Sequence, residues 1–157
     1  MDSFFSFLSN PTFWIAAVLL FTLKKGIHFV PQNRGYVIYR MGKYTRTLSS
    51  GFNWIVPFLD SIAADRNLKE QTLLVPHQSA ITKDNVALMI DGVLFMKVID
   101  AASATNNITD YKLATTQLAM TSMRNAIGTM ELDECFQNRA AINAEIQKAM
   151  LEATQPW

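Results

Sequence analysis

The chain has little of what most chemistry needs. Its single cysteine, Cys135, excludes an intrachain disulfide and a thiolate metal cluster. Its two histidines, His28 and His77, lie far apart, and neither has a second ligand at a metal-binding spacing. The six glycines are scattered, so there is no glycine-rich loop to cradle a phosphate. No serine sits in a Gly-x-Ser-x-Gly elbow, and Asp60, Asp65, Asp84, Asp91 and Asp100 do not follow calcium-loop spacing. Charge is also scarce, with 17% charged residues and a formal net charge of +1, which argues against nucleic acid as the main partner. No catalytic residue, metal site or cofactor is expected. Such a chain spends its residues on a fold and its surfaces, which favours binding or assembly over catalysis.

Apolar sequence is abundant at the amino end. Ser3 to Leu23 carries no charge, and Lys24-Lys25 closes the run. As a helix of ~1.5 Å rise per residue it would reach roughly the thickness of a hydrocarbon core. The expectation is an N-terminal membrane anchor over residues 1–25, followed by a domain over 26–157. Trp14, Ile15, Leu19, Leu20 and Phe21 would touch lipid. The anchor would either cross as one span or lie in the interface from Pro11 onward, with Asn10 as its cap. The run lacks a basic start and an Ala-x-Ala-like site, which opposes a cleaved signal peptide. From Lys24 to Leu59 there are six basic residues and no acidic one. Lys24, Lys25, Lys43 and Arg46 are therefore expected to face acidic headgroups, with the domain on the cytoplasmic side of a membrane.

The rest alternates, then changes grammar. Gly35 to Arg40 reads as a strand. Gly51 to Leu59 is unusually apolar for a loop, and Pro57 keeps it from being a central strand; it is either core or a second lipid contact through Phe52, Trp54, Ile55 and Phe58. Leu68 to Val75 reads as a strand closed by Pro76. Val86 to Ile99 is the strongest strand, apolar on both faces, as in a central strand covered on both sides, with a bend at Gly92. Asp84-Asn85 reads as the turn before it. Asp110 caps a helix to about Ile127, with Gly128 as its stop and stripes through Tyr111, Ala114, Leu118 and through Leu113, Gln117, Met120. Asp133 is expected to cap a second helix over 134–153, with Cys135 as a small buried filler.

Several stretches, in order, resemble the stomatin, prohibitin and flotillin superfamily of band-7 (SPFH) domains, nearest its stomatin-like branch. They are Val30-Pro-Gln32, Arg40-Met-Gly-Lys-Tyr44, Gly51 to Asp60, Leu68-Lys-Glu70, Val75-Pro-His-Gln-Ser79, Thr82 to Asp100, Thr121 to Gly128, Glu131-Leu-Asp-Glu134 and Pro156-Trp157. The resemblance implies an α/β (α+β) domain, mostly antiparallel sheet packed with helices, preceded by a membrane helix. The family's coiled coil is absent from this chain. It further implies a non-catalytic, membrane-anchored scaffold whose many copies form a ring- or cage-like membrane microdomain. Its expected partners are homo-oligomeric copies, anionic membrane lipids and an integral membrane protein such as a protease. An adaptor that binds one membrane enzyme without a ring is the alternative. The resemblance also turns the Gly51 to Leu59 stretch toward lipid contact.

Overall fold

A computed structural model describes Lys24 and residues 26–157. The chain divides after Leu68 into two units, each with its own core.

In the first unit, β1 (Ile27–Val30) pairs antiparallel with β4 (Gly51–Trp54). The central strand β2 (Arg34–Arg40) lies between β3 (Lys43–Leu48) and β5 (Asp60–Asn67), antiparallel to both. The expected strand at Gly35 to Arg40 is present. Its two partners were not expected, because β3 and β5 carry mostly polar residues on largely exposed backbones. Val30, Ile38, Leu48 and Ile55 form the core, with Tyr36 packed against it. Gly26 lets β1 approach the end of β4. A Cβ there would lie 2.4 Å from Trp54 Nε1 and 2.6 Å from the Ile55 carbonyl oxygen, and the Gly26 carbonyl accepts from Ile55 N–H at 2.8 Å.

The second unit begins with β6 (Gln71–Ile81), paired antiparallel with β7 (Ala87–Met96). The turn between them is built by Asp84 and Asn85, as expected. Asn85 takes φ 63°, and the Thr82 hydroxyl accepts from Val86 N–H at 3.1 Å. Four helices follow among the described residues: α1 (Ser103–Asn106), α2 (Tyr111–Gly128), α3 (Leu132–Gln137) and α4 (Arg139–Thr154). Asp110 caps α2 by accepting from Lys112 and Leu113 N–H at 3.0 and 3.1 Å. Packing of α2 on β6 and of α4 on α2 closes a core around Val75, Ala119 and Met150, flanked by Leu94, Leu118, Met120, Met123 and Ile146.

Four expectations need correction. Strand β6 does not stop at Pro76. It runs through the proline because the ladder slips between Val75 and Gln78, and this bulge removes the need for a Pro76 N–H. Gln78, buried just past the bulge, donates from Nε2 to the Met120 carbonyl at 2.8 Å and accepts from Arg124 Nη2 at 2.8 Å. Strand β7 is covered on one face only. Leu88, Ile90, Gly92, Leu94 and Met96 are half-covered, whereas Ala87, Met89, Asp91, Val93 and Phe95 are exposed. The buried residues of α2 are Tyr111, Thr115, Ala119, Ser122, Ala126 and Ile127, a row of mostly small residues that shares Tyr111 with the first expected stripe and otherwise departs from the residues named for both. The expected helix over 134–153 begins earlier and breaks at Asn138 (φ −110°, ψ 38°) into α3 and α4.

The membrane helix is also corrected. No helix among the described residues is long and apolar enough to cross a membrane. The expected anchor over residues 1–25 falls, apart from Lys24, outside the described residues. The membrane-anchored function and membrane location expected from a spanning helix are corrected on the same ground, since no such helix is found among the described residues.

Two outcomes follow from this packing. Gln78→Ala removes both hydrogen bonds of a buried amide, the one to the Met120 carbonyl and the one from the Arg124 guanidinium, and should cost about 1–2 kcal/mol, read as a lower denaturant midpoint at unchanged m-value. Cys135 is half-buried, and burial, with Asp84 and Glu134 nearby, pushes its thiol above the ordinary range. It should react with iodoacetamide near neutral pH more slowly than free cysteine, as measured by mass spectrometry.

Candidate functional site

Nothing in the described residues assembles a reacting centre. No group of three or more histidine, cysteine, aspartate or glutamate side chains among them could hold a metal ion. The arrangement presents surfaces instead, one in each unit.

The first lies at the β4–β5 turn. Asp60 closes it with its own N–H to the Val56 carbonyl (2.9 Å) and by accepting from Val56 N–H through Oδ2 (3.0 Å). Arg40 grips the same carboxylate with a fork, Nε to Oδ1 at 2.6 Å and Nη2 to Oδ2 at 3.1 Å. The Asp60 side chain is completely covered. The hydrogen bond from Arg40 holds its carboxyl below the usual carboxylate range, against the opposing effect of burial. The braced turn displays Phe58 at φ 74° and 84% exposure. Met41, at φ 50°, is equally exposed on the neighbouring β2–β3 turn, tied to this one by its N–H to the Leu59 carbonyl at 3.3 Å. Two large apolar side chains thus sit on left-handed backbone, each at a conformational cost of order 1–2 kcal/mol. Nearby, β1 and β4 place Ile27 opposite Trp54 and Phe29 opposite Phe52. All four are exposed, and the two phenylalanines meet edge to face with centroids 5.8 Å apart.

This surface contains part of the expected lipid-contact set. Phe52, Trp54 and Phe58 are exposed, but Ile55 is buried in the core and drops out. Trp14, Ile15, Leu19, Leu20, Phe21 and Lys25 lie outside the described residues. Of the expected headgroup-facing cations, Lys24 and Lys43 are exposed; Arg46 is exposed too, but its guanidinium donates to the Trp54 carbonyl and braces β4. Ile27, Phe29 and Met41 were missed. Ile27 and Phe29 alternate within a strand of only four residues and Met41 stands in a tight turn, segments too short for periodicity to register.

The second surface is the outer face of β6 and β7. Cross-strand neighbours there are Thr72 and Phe95, Leu74 and Val93, and Ser79 and Met89. Leu74, Met89, Val93 and Phe95 are 55–75% exposed. One polar pair interrupts them at the bulge, His77 Nδ1 at 3.6 Å from Asp91 Oδ2. The apolar alternation of β7 shows this face in the sequence, but alternation alone does not distinguish a covered apolar face from a bare one.

A model of the SPFH domain / Band 7 family matches residues 28–157. Mitochondrial stomatin-like protein 2 of Rattus norvegicus is 44% identical over 131 residues, covering 83% of this chain and 37% of that protein. Stomatin-like protein stl-1 of Caenorhabditis elegans is 42% identical over 131 residues, covering 83% of this chain and 40% of that protein. An uncharacterized protein of Methanothermobacter thermautotrophicus is 40% identical over 144 residues, covering 91% of this chain and 45% of that protein. The chain therefore spans less than half the length of these relatives.

The Asp60 clamp has a pH signature. Because its folded pKa is depressed, the carboxylate stabilises the fold at pH above its unfolded value of about 4, and that contribution is lost as pH falls through the folded value. Denaturant midpoints measured between about pH 7 and pH 3 should fall for the parent chain. Asp60→Asn should start lower near neutral pH and show a shallower decline.

Proposed function

The chain belongs to the SPFH domain / Band 7 family, and from that premise we propose that it is the self-associating part of a scaffold, meeting other copies of itself through the outer face of β6 and β7. Band 7 domains are non-catalytic scaffolds, and the family generally oligomerises and associates with membrane proteins. The observation that carries the reading is the exposed row of Leu74, Met89, Val93 and Phe95 on a ribbon whose other face is already packed.

Magnitudes say what kind of assembly this supports. Burying four such side chains, already partly covered, is worth roughly 4–8 kcal/mol before costs. Association itself costs about 4–15 kcal/mol. A single pairwise contact is therefore weak, and stability comes from many copies held together, where each further contact forms at high effective concentration. This favours a many-membered homo-oligomer over one tight dimer. The partner organised by the assembly is an integral membrane protein such as a protease. Phe52, Trp54 and Phe58, with Lys24, Lys43 and Arg46 in the same unit, are proposed to touch anionic headgroups around that partner.

Sedimentation velocity over a concentration series should show the parent chain forming multimers. The double variant Val93→Glu, Phe95→Glu should remain monomeric with an unchanged far-ultraviolet spectrum. A parent chain that stays monomeric at the highest concentration refutes the reading.

A further inference from the structure

The β6–β7 ribbon has an open edge as well as an open face. Among the described residues, strand β6 pairs with β7 and with no other strand. The register places Ser79 opposite Met89 and Ile81 opposite Ala87, and Thr82 N–H donates to the Val86 carbonyl at 3.0 Å. Thr82 and Val86 are therefore a hydrogen-bonded pair, and in an antiparallel ladder such pairs alternate with pairs whose N–H and C=O groups point away from the partner strand. Counting back from Thr82, Ser79 and Ile81 turn their peptide groups outward, away from β7. The Ile81 carbonyl accordingly looks toward α2, with its oxygen 3.7 Å from the position a Cβ on Gly128 would take.

An open groove of about 600 Å³ lies along this edge, lined by Ser79, Ala80 and Ile81 on one side and Arg124, Asn125, Gly128 and Thr129 of the α2 end on the other. Arg124 is its only charged lining residue. One of its five donors is committed to Gln78, which holds the guanidinium beside the edge; the residue is exposed and four donors remain. No acidic side chain lines the groove to compete for them.

We propose that this groove binds an extended peptide segment carrying an acidic side chain, added as a third strand along β6. The outward Ser79 N–H and C=O and the Ile81 N–H follow the spacing of a peptide main chain and of no small anion, and the open edge ends there, where the Ile81 carbonyl faces Gly128 and Lys83 N–H donates to the Met130 carbonyl at 2.9 Å. Arg124 supplies the charge that selects a glutamate or aspartate on the incoming strand. The site lies on the β6 edge, so it stands whether or not copies of the chain meet through the outer face.

The test uses a fluorescein-labelled nine-residue peptide of alternating threonine and valine with one central glutamate, flanked by Gly-Ser pairs, titrated against the full chain by anisotropy. Saturable binding is expected, with protection of the Ile81 amide in hydrogen exchange. Replacing the central glutamate by lysine, or Arg124→Glu in the protein, should weaken binding about tenfold or more. Asn125→Trp, which fills the groove from an exposed helix position, should block binding while leaving the thermal midpoint unchanged. The same peptide with alternate amides N-methylated, prepared in both registers, should lose binding in one register, because a blocked ladder cannot form. Absence of saturable binding by the parent peptide, or equal affinity for both N-methylated forms, overturns the proposal.

Discussion

Among the described residues strands β6 and β7 have only each other as strand partners, and α2 covers one of their two faces. A two-stranded ribbon is marginal in water without such cover, so α2 decides both the stability of the ribbon and which side of it stays bare. The row of Thr115, Ala119, Ser122 and Ala126 on α2 lets the helix lie close. Flanking Leu118, Met120 and Met123 fill the space that small residues leave. What remains is a face too apolar to be ordinary surface and an edge with unspent peptide groups. The bare face and the open edge both descend from that single geometric shortage of cover.

The first unit solves a different problem with charge. Its exposed aromatic turn would be floppy if held only by its own backbone. Arg40 and Asp60, opposite one another on β2 and β5, convert the turn into a fixed display. The carboxylate is covered but fully committed, to Arg40 and to Val56 N–H, so its burial is compensated by partners. By contrast, the surface pairs Lys83–Glu131 and His77–Asp91, at 3.8 and 3.6 Å, are open to solvent and contribute little to stability.

Much of this was legible in the residues. Strand β2, the Asp84-Asn85 turn, the Asp110 cap and the family resemblance all rest on local chemistry that does not depend on the rest of the fold. The failures share a cause: they concern what lies across from a segment. Strands β3 and β5 are polar because they flank β2 with exposed sides, so no apolar run announced them. The alternation of Val86 to Ile99 revealed two apolar faces but could not say that only one would find a neighbour. Ile55 looked like its exposed neighbours Trp54 and Phe58, yet the hydrogen bond from its N–H to Gly26 turns it into the core. Pro76 looked like a stop, because a bulge that tolerates it is a property of two strands together.

That bulge also protects the ribbon from its own ambiguity. With apolar residues on both sides of β7, a one-residue slip would exchange inside for outside at little hydrophobic cost. Gln78 fixes which side of β6 faces α2, since its amide bonds both the Met120 carbonyl and the Arg124 guanidinium, and β7 then keeps its sides through its pairing with β6. A single side chain thus acts as a registration mark, and the two sides of an otherwise reversible strand acquire fixed identities.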